Sequence, residues 1–317
     1  MKTLVTGASG RIGRQVALGL KKAKHDVVGL CRHGADVDDL LHSGVEIVFG
    51  DTSVEATVQG CLDGCSTVVH AGCVRSAARQ STYQHFNTQG TIRLAEEAAR
   101  LGTERLIFIS SIVAQGPSGP DTPHRSPGGE QPTTPYGRSL LACETVLKAG
   151  ILADRVTILR PGLVYGVQPS PLRKWIKGVS LGVVPSRPGM SLSFLHIQDL
   201  VDTVRGLTER AEPCPGTYFL SDGLPVTHEQ LIDLIEAALG GRPAIRLPIT
   251  KGLLNQVAGA LNHLRDASGL FAEQAQFTQH FAGQSWSCLS DDAVAAFGFQ
   301  AQRHLVSELS GIVARQV

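Results

Sequence analysis

A doubly wound α/β fold with a parallel sheet is predicted by three observations. Short apolar runs (Leu4-Val5, Asp26–Cys31, Val45–Phe49, Thr67–His70, Arg105–Ser110, Val156–Leu159) alternate with stretches of helical periodicity. That alternation is the pattern of strands joined by crossover helices. The first run leads straight into Thr6-Gly7-Ala8-Ser9-Gly10-Arg11-Ile12-Gly13, which opens helical spacing at Ile12, Val16, Ala17 and Leu20.

Strand, glycine turn and helix are the context that a dinucleotide requires. Gly7 permits the tight turn, Gly10 lets backbone approach a pyrophosphate, and Gly13 lets helix and strand pack closely. Ser9, Arg11 and Ile12 complete the turn, whose free N–H groups and positive helix end face the phosphates.

The second run, Asp26–Cys31, ends in Arg32, about twenty residues after the glycines. An NAD-selective site carries Asp or Glu there to hold the ribose 2′-hydroxyl. A guanidinium suits a 2′-phosphate instead, and Arg11 can be a second phosphate ligand. NADP is therefore the predicted cofactor, ahead of NAD. The third run ends in Gly50, Asp51 and Thr52, placing Asp51 near an adenine. The fourth ends in His70, Ala71 and Gly72, whose small residues let a strand end touch the cofactor. His70 by itself reads as a hydrogen-bonded structural histidine.

Residues 82–101 have helical spacing at Phe86, Ile92, Leu94, Ala95 and Ala98. The segment Gly116–Pro135 is rich in Pro, Gly and Ser and long for a connection, which predicts a mobile lid on the substrate side. A helix is expected from Tyr136 to about Ala149. Ser111, Arg160, His70 and Asp51 fall at carboxyl ends of strands, where ligands of such sheets bind.

The second half is less regular. Pro169–Pro188 carries Arg173, Lys174, Lys177 and Arg187, read as a solvated loop that could alternatively meet a diphosphate. Strands are expected at Ser193–Ile197 and Thr217–Ser221, and helices at Asp199–Leu207 and 228–239, the last capped by Thr227. Loops and helices alternate from Arg242 on. Trp175 and Trp286 read as packing residues that could also line a pocket. The expected division is a nucleotide-binding domain of residues 1–167 and 191–222, with a smaller substrate domain of 168–190 and 223–317.

Hydrophobic residues make up 42% and charged residues 18%, an ordinary globular balance, and the net charge is +1. With no basic run and no apolar run of about 18 residues, neither nucleic acid nor membrane is an expected partner. Met1-Lys2 runs into the first strand, leaving no room for a signal peptide. The seven scattered cysteines read as reduced thiols of a cytoplasmic protein, with no metal site.

Thr6-Gly7-x-x-Gly10-x-x-Gly13, Gly50-Asp51, His70-Ala71, Asn87, Ser110-Ser111, Tyr136-Gly137, Arg160-Pro161-Gly162-Leu163-Val164-Tyr165-Gly166 and Phe194–Asp199 occur in that order. The set resembles the extended short-chain dehydrogenase/reductase superfamily of the NAD-dependent epimerase/dehydratase type, over nearly the whole chain. The resemblance implies a Rossmann domain with a smaller carboxyl-terminal substrate-binding domain. It adds Asn87, Tyr136, Pro161, Gly162 and Val164 to the cofactor set and allows a homodimer. Arg32 is similar to the NADP-dependent reductase branch.

The resemblance also implies a catalytic Ser, Tyr and Lys, the last two as Tyr-x-x-x-Lys. Ser111 and Tyr136 match, whereas Leu140 stands where lysine belongs. Residues i and i+4 share a helix face, so the lysine would lie beside the phenol and lower its pKa. Arg138 points elsewhere, Lys148 is three turns on, and Ser139 offers only a neutral hydrogen bond. Tyr136 is then expected near its ordinary pKa of about 10. That suits proton donation to a carbonyl better than alcohol oxidation. The expected activity is NADPH-dependent reduction of a small-molecule ketone or aldehyde, with Tyr136 as proton donor and Ser111 holding the carbonyl oxygen. The alternatives are an epimerase, dehydratase or isomerase that retains NAD(P), and an NAD(P)-binding protein without useful catalysis.

Overall fold

The computed structural model describes residues 2–75, 77, 79–168, 170–248 and 284–315. The substrate-domain expectation for 249–283 lies outside the described residues. The central sheet is parallel and built from β1 (Lys2–Thr6), β2 (Asp26–Cys31), β3 (Glu46–Phe49), β4 (Thr67–His70), β5 (Arg105–Ile109), β6 (Val156–Pro161) and, later in the chain, Gly216–Leu220. The last of these pairs with β6, and the spatial order runs on through β5, β4, β1 and β2 to β3. Strand order reverses between β1 and β4, which pair directly although β2 and β3 intervene in sequence. Such a switch point opens a crevice at the strands' carboxyl ends.

Apolar runs rather than alternation follow from burial on both faces. Val5, Val69, Ile107 and Leu159 face one cluster with Val16, Ala17 and Leu20 of α1 (Arg11–Lys22) and Leu200, Val201 and Val204 of the helix Ile197–Glu209. Their neighbours Leu4, Val68, Leu106 and Ile158 face the other, with Leu94 and Ala98 of Gly90–Arg100 and Leu140, Cys143 and Leu147 of Pro135–Ala149.

A third cluster stands apart, formed around Trp175, Ile176 and Val179 of Arg173–Ser180, Leu231, Ile232 and Ile235 of His228–Ala238, and Trp286 and Leu309. The 173–180 stretch is an amphipathic helix where a loop was expected; its basic residues Arg173, Lys174 and Lys177 lie on the outward side. Thr227 caps the next helix in a reciprocal capping box with Gln230. Residues 80–100 form one helical run, interrupted by a π-helical stretch, Gln84–Gln89.

The segment 116–135 is not the loose lid expected. Ser118 N–H donates to Ser285 O (2.9 Å), His124 N–H to Ser287 O (2.9 Å), and Leu289 N–H to His124 O (2.8 Å). Arg125 pairs with Asp291 at 2.7 Å. Proline and glycine content predicted mobility, but these partners lie some 165 residues away along the chain, out of reach of local patterning. Among the described residues, no helix is long and apolar enough to cross a membrane.

Candidate active site

The glycine turn lies at the end of β1, beside the switch point. Gly7 has φ +65°, and a Cβ there would sit 2.6 Å from Gly72 Cα. A Cβ on Gly13 would sit 2.3 Å from Gly7 O. Both positions exclude any side chain, so backbone of β1, α1 and the β4 end converges on a bare surface. Gly10 is the N-cap of α1 and offers no side chain to cap its first amides. Those amides remain for a phosphate, together with the positive end of the helix dipole. Ser9 hydrogen-bonds the Cys31 thiol, closing the turn against β2. Ile12 packs on the core beneath. The cradle fits a dinucleotide pyrophosphate.

Around it, the predicted residues divide. Arg32 is exposed at the end of β2, as a 2′-phosphate ligand would be. Asp51 accepts Ser53 N–H at 2.7 Å, forming its own turn at the β3 end, with Thr52 buried behind it. Ala71 and Gly72 form the β4 end that meets Gly7. The His70 ring, by contrast, is turned inward: one nitrogen bonds Thr6 Oγ1 (2.7 Å), the other Thr91 Oγ1 (2.9 Å), and the ring stacks on Phe108. Burial pulls its pKa down to about 4, so it is a neutral structural group. Asn87 is also spent internally, accepting Val74 N–H (2.7 Å) and donating to Val74 O and Ser139 Oγ (3.0 Å each). The side chains of His70 and Asn87 are thus structural, and only backbone there is left to a cofactor.

Arg160 is likewise no ligand. It is fully buried, donating to Glu144, to Gln115 Oε1 (2.6 Å) and to Glu130 Oε1 (3.0 Å). Ser110 donates to the same Glu144 at 2.5 Å. This network ties β6, α6 (Pro135–Ala149) and the 115–130 segment together. Residue spacing alone did not reveal it, although Glu144 lies one turn beyond Leu140 on a face that is otherwise apolar.

The catalytic pair is placed by that same helix. Thr134 caps α6 through Gly137 N–H (2.9 Å), and Pro135 occupies its first turn. A Cβ on Gly137 would meet Val113 O at 2.3 Å, so the first turn of α6 lies directly on the turn that follows Ser111. Tyr136 and Ser111 are therefore carried on touching elements. Ser111 N-caps the turn Ile112–Ala114. It lines a small pocket with Ile112, Val113, Gly162, Leu163, Leu192 and Trp286. Pro161 and Val164 flank that wall, and Gly162 N–H bonds Leu220 O at 2.9 Å.

Leu140 is completely buried in the core cluster with Cys143 and Leu147. Tyr136 does not stay near the ordinary phenol value: burial pushes its pKa well above it, and the neighbouring thiols Cys73 and Cys143 push the same way. Those thiols hydrogen-bond each other, which raises Cys73 and lowers Cys143. None of the seven cysteines forms a disulfide.

Together the switch-point crevice, the bare glycine cradle and the Ser-Tyr pair beside it define a Rossmann-type protein of the short-chain dehydrogenase/reductase kind. The chain belongs to the NAD dependent epimerase/dehydratase family, whose model matches residues 3–218. It is 28% identical over 267 residues to sterol demethylase protein B of Methylococcus capsulatus, covering 81% of this chain and 80% of that protein. It is 28% identical over 264 residues to a UDP-glucose 4-epimerase of Vibrio cholerae, covering 78% of each. A ketoreductase of a farnesylated quinoline oxide from Stigmatella aurantiaca is 24% identical over 254 residues, 74% of this chain and 72% of that one. Among solved structures, Bordetella bronchiseptica WbmG in complex with NAD superimposes with a TM-score of 0.76 at 18% identity, covering 99% of this chain and 93% of that one.

Proposed function

We propose that the protein is an NADPH-dependent reductase of an apolar ketone or aldehyde. The observation that carries this reading is the pocket beside Ser111. Among the described residues, apart from Ser111 and the Trp286 indole, its lining side chains are purely apolar, and none is charged. A neutral substrate with one carbonyl suits such a wall; a nucleotide diphosphate would bring charges that it cannot pair. The basic residues of 173–177 do not supply them, because they lie on the outward side of a helix whose other side packs on the third core cluster.

A dinucleotide held by the Gly7–Gly13 turn and Arg32 would supply the hydride that the carbonyl carbon takes up. The chain's own residues do the rest. Ser111 Oγ hydrogen-bonds the carbonyl oxygen and polarises it. Tyr136, kept protonated by burial, donates the proton that this oxygen takes up. Leu192, Leu163 and Trp286 exclude water from the reacting carbon. The Arg160–Glu144 network and the Thr134 cap hold α6, and with it the phenol, at a fixed place. Arg32 selects the 2′-phosphate.

A panel of apolar ketones and aldehydes, followed at 340 nm with NADPH and with NADH, tests this. Turnover with NADPH is expected, and Tyr136→Phe should lower it by at least ~10²-fold. Arg32→Ser should erase the preference for NADPH, a change of ~10-fold or more for one charge-assisted phosphate contact. Interconversion of UDP-sugars with no net change at 340 nm would establish the epimerase reading instead. Nucleotide binding with a silent panel would leave a cofactor-binding protein without useful catalysis.

A further inference from the structure

One outer face beside the third core cluster is apolar, exposed and framed by cations. The helix Arg173–Ser180 buries Trp175, Ile176 and Val179 in that cluster. Its other side carries Arg173 and Lys177. Leu181 continues the stripe at the same four-residue spacing, with its N–H bonded to Lys177 O at 3.0 Å. Leu181 is 72% exposed. Gly182, at φ +78°, then turns the chain into the strand Val183–Ser186.

That strand pairs in parallel with Ile245–Pro248, with Ile245 opposite Val183 and Leu247 opposite Pro185. Ile245 N–H also bonds Gly182 O at 2.8 Å. Side chains of a strand alternate between its two faces. Val184 is buried in the third cluster, and Arg246 pairs with Asp233 and Glu236 of His228–Ala238, so their face is turned inward. The opposite face presents Val183, Pro185, Ile245 and Leu247 to solvent, with Ile245 65%, Leu247 50% and Val183 42% exposed. Together with Leu181 they make one apolar patch, where isolated exposed hydrophobics are the usual pattern.

No Asp or Glu occurs from Arg155 to Gln198, nor from Ala237 to Pro248. Arg173, Lys177 and Arg242 are exposed and form no ion pair among the described residues. The chain-wide charge of +1, which argued against a membrane partner, averages over this face. Protein-binding patches are rich in aromatic residues and poor in lysine, and this one has no aromatic side chain. A second copy docked about a twofold axis would bring one cationic patch against another. An anionic lipid surface meets both halves of the pattern: long basic side chains reach the headgroups while aliphatic ones enter the acyl boundary.

We propose that the face formed by Leu181, Val183, Pro185, Ile245 and Leu247, flanked by Arg173, Lys177 and Arg242, docks the protein reversibly on anionic lipid membranes. Docking goes beyond the reductase reading and does not rest on it, although an apolar carbonyl compound dissolved in lipid is the substrate such an enzyme would meet there.

The full chain is sedimented with vesicles of phosphatidylcholine, alone or mixed with phosphatidylserine, without substrate or cofactor. Binding to the mixed vesicles is expected, weakened by salt at ~1 M, with little binding to phosphatidylcholine alone. Replacing both cations, Arg173→Gln with Lys177→Gln, should lower the partition coefficient ~10-fold or more, at about fivefold per cation. Leu181→Ser with Ile245→Thr leaves every charge in place and should lower it by a similar factor. Ile151→Ser, at an exposed position outside this face, should change nothing. Urea midpoints equal to wild type establish that the fold is kept; where Ile245→Thr disturbs the strand, Leu181→Ser alone reads the same loss. Absence of binding to the mixed vesicles would overturn the proposal. So would undiminished binding of the Leu181→Ser/Ile245→Thr variant, which would mean diffuse attraction of the cations alone. A dimer in solution that this variant splits, with vesicles unbound, would give the face to a second copy instead. Vesicle binding with a silent carbonyl panel would keep the docking and remove the reductase reading.

Discussion

Replacing Leu140 by lysine puts the site's central feature to the test. Leu140 has no exposed surface and packs among Cys143, Leu147 and the sheet residues beneath α6. An ammonium there has no carboxylate waiting, since Glu144 is committed to Arg160 and Ser110. The lysine would fold in its neutral form. Its unperturbed pKa is about 10.4, so holding it neutral costs about 4.6 kcal/mol at pH 7 and about 1.9 kcal/mol at pH 9. The unfolded chain binds the extra proton, so the variant's stability rises with pH, by about 2.7 kcal/mol over those two units. Loss of leucine packing adds a pH-independent part that Leu140→Ala measures separately, at about 2–5 kcal/mol. Urea unfolding of wild type, Leu140→Lys and Leu140→Ala at pH 7 and pH 9 reads all three quantities. A Leu140→Lys penalty equal at both pH values would refute the reasoning: it would mean that residue 140 reaches solvent or the cofactor crevice and keeps its charge.

Gly13→Ala forces a Cβ to within 2.3 Å of Gly7 O, so nucleotide binding followed by fluorescence titration should be lost while the fold persists; retained affinity would mean that the turn is not the cradle. Glu144→Ala leaves the fully buried Arg160 without its main partner and should cost about 3–5 kcal/mol in chemical denaturation, against little for the exposed Asp154→Ala. His70 has its pKa lowered from 6.5 to about 4, so the unfolded chain takes up a proton that the folded chain refuses. Its contribution is present above pH 6.5 and is lost as pH falls toward 4, by up to about 3 kcal/mol. His70→Asn should flatten that acid limb, and a limb parallel to wild type would contradict the assignment.

What could be read from the residues was the part written in local pattern. The glycine turn and the strands ending at Cys31 and His70 depend on short-range spacing and stand where spacing put them, and the fifth strand ends at Ile109, one residue short of the expected Ser110; Ser111 and Tyr136 were singled out by the family resemblance instead. Position at a strand end or in a motif put His70 and Asn87 in the cofactor set and Arg160 at the ligand end of its strand, although the His70 ring by itself already read as a hydrogen-bonded structural group. Their side chains are instead consumed by Thr91, Val74 and Glu144, partners 13 to 21 residues away. The 116–135 segment was misjudged for a related reason: composition describes what a chain does alone, not what holds it. The amphipathic helix 173–180 was hidden by the prolines on both sides of it.

Residues 285–288 bridge two parts of the molecule, pairing with Ser118 and His124 on one side and Leu192 on the other, and they carry Trp286 into the pocket wall. The backbone that converges at Gly7 comes from residues 7–13 and 71–72, whereas the pocket wall takes Trp286, more than two hundred residues further along the chain. During synthesis the phosphate cradle's own residues thus leave the ribosome well before the residues that wall the pocket. The pocket wall is therefore set by the 285–288 segment, whose isolated bridges to Ser118, His124 and Leu192 tie the far end of the chain back to the turn after Ser111.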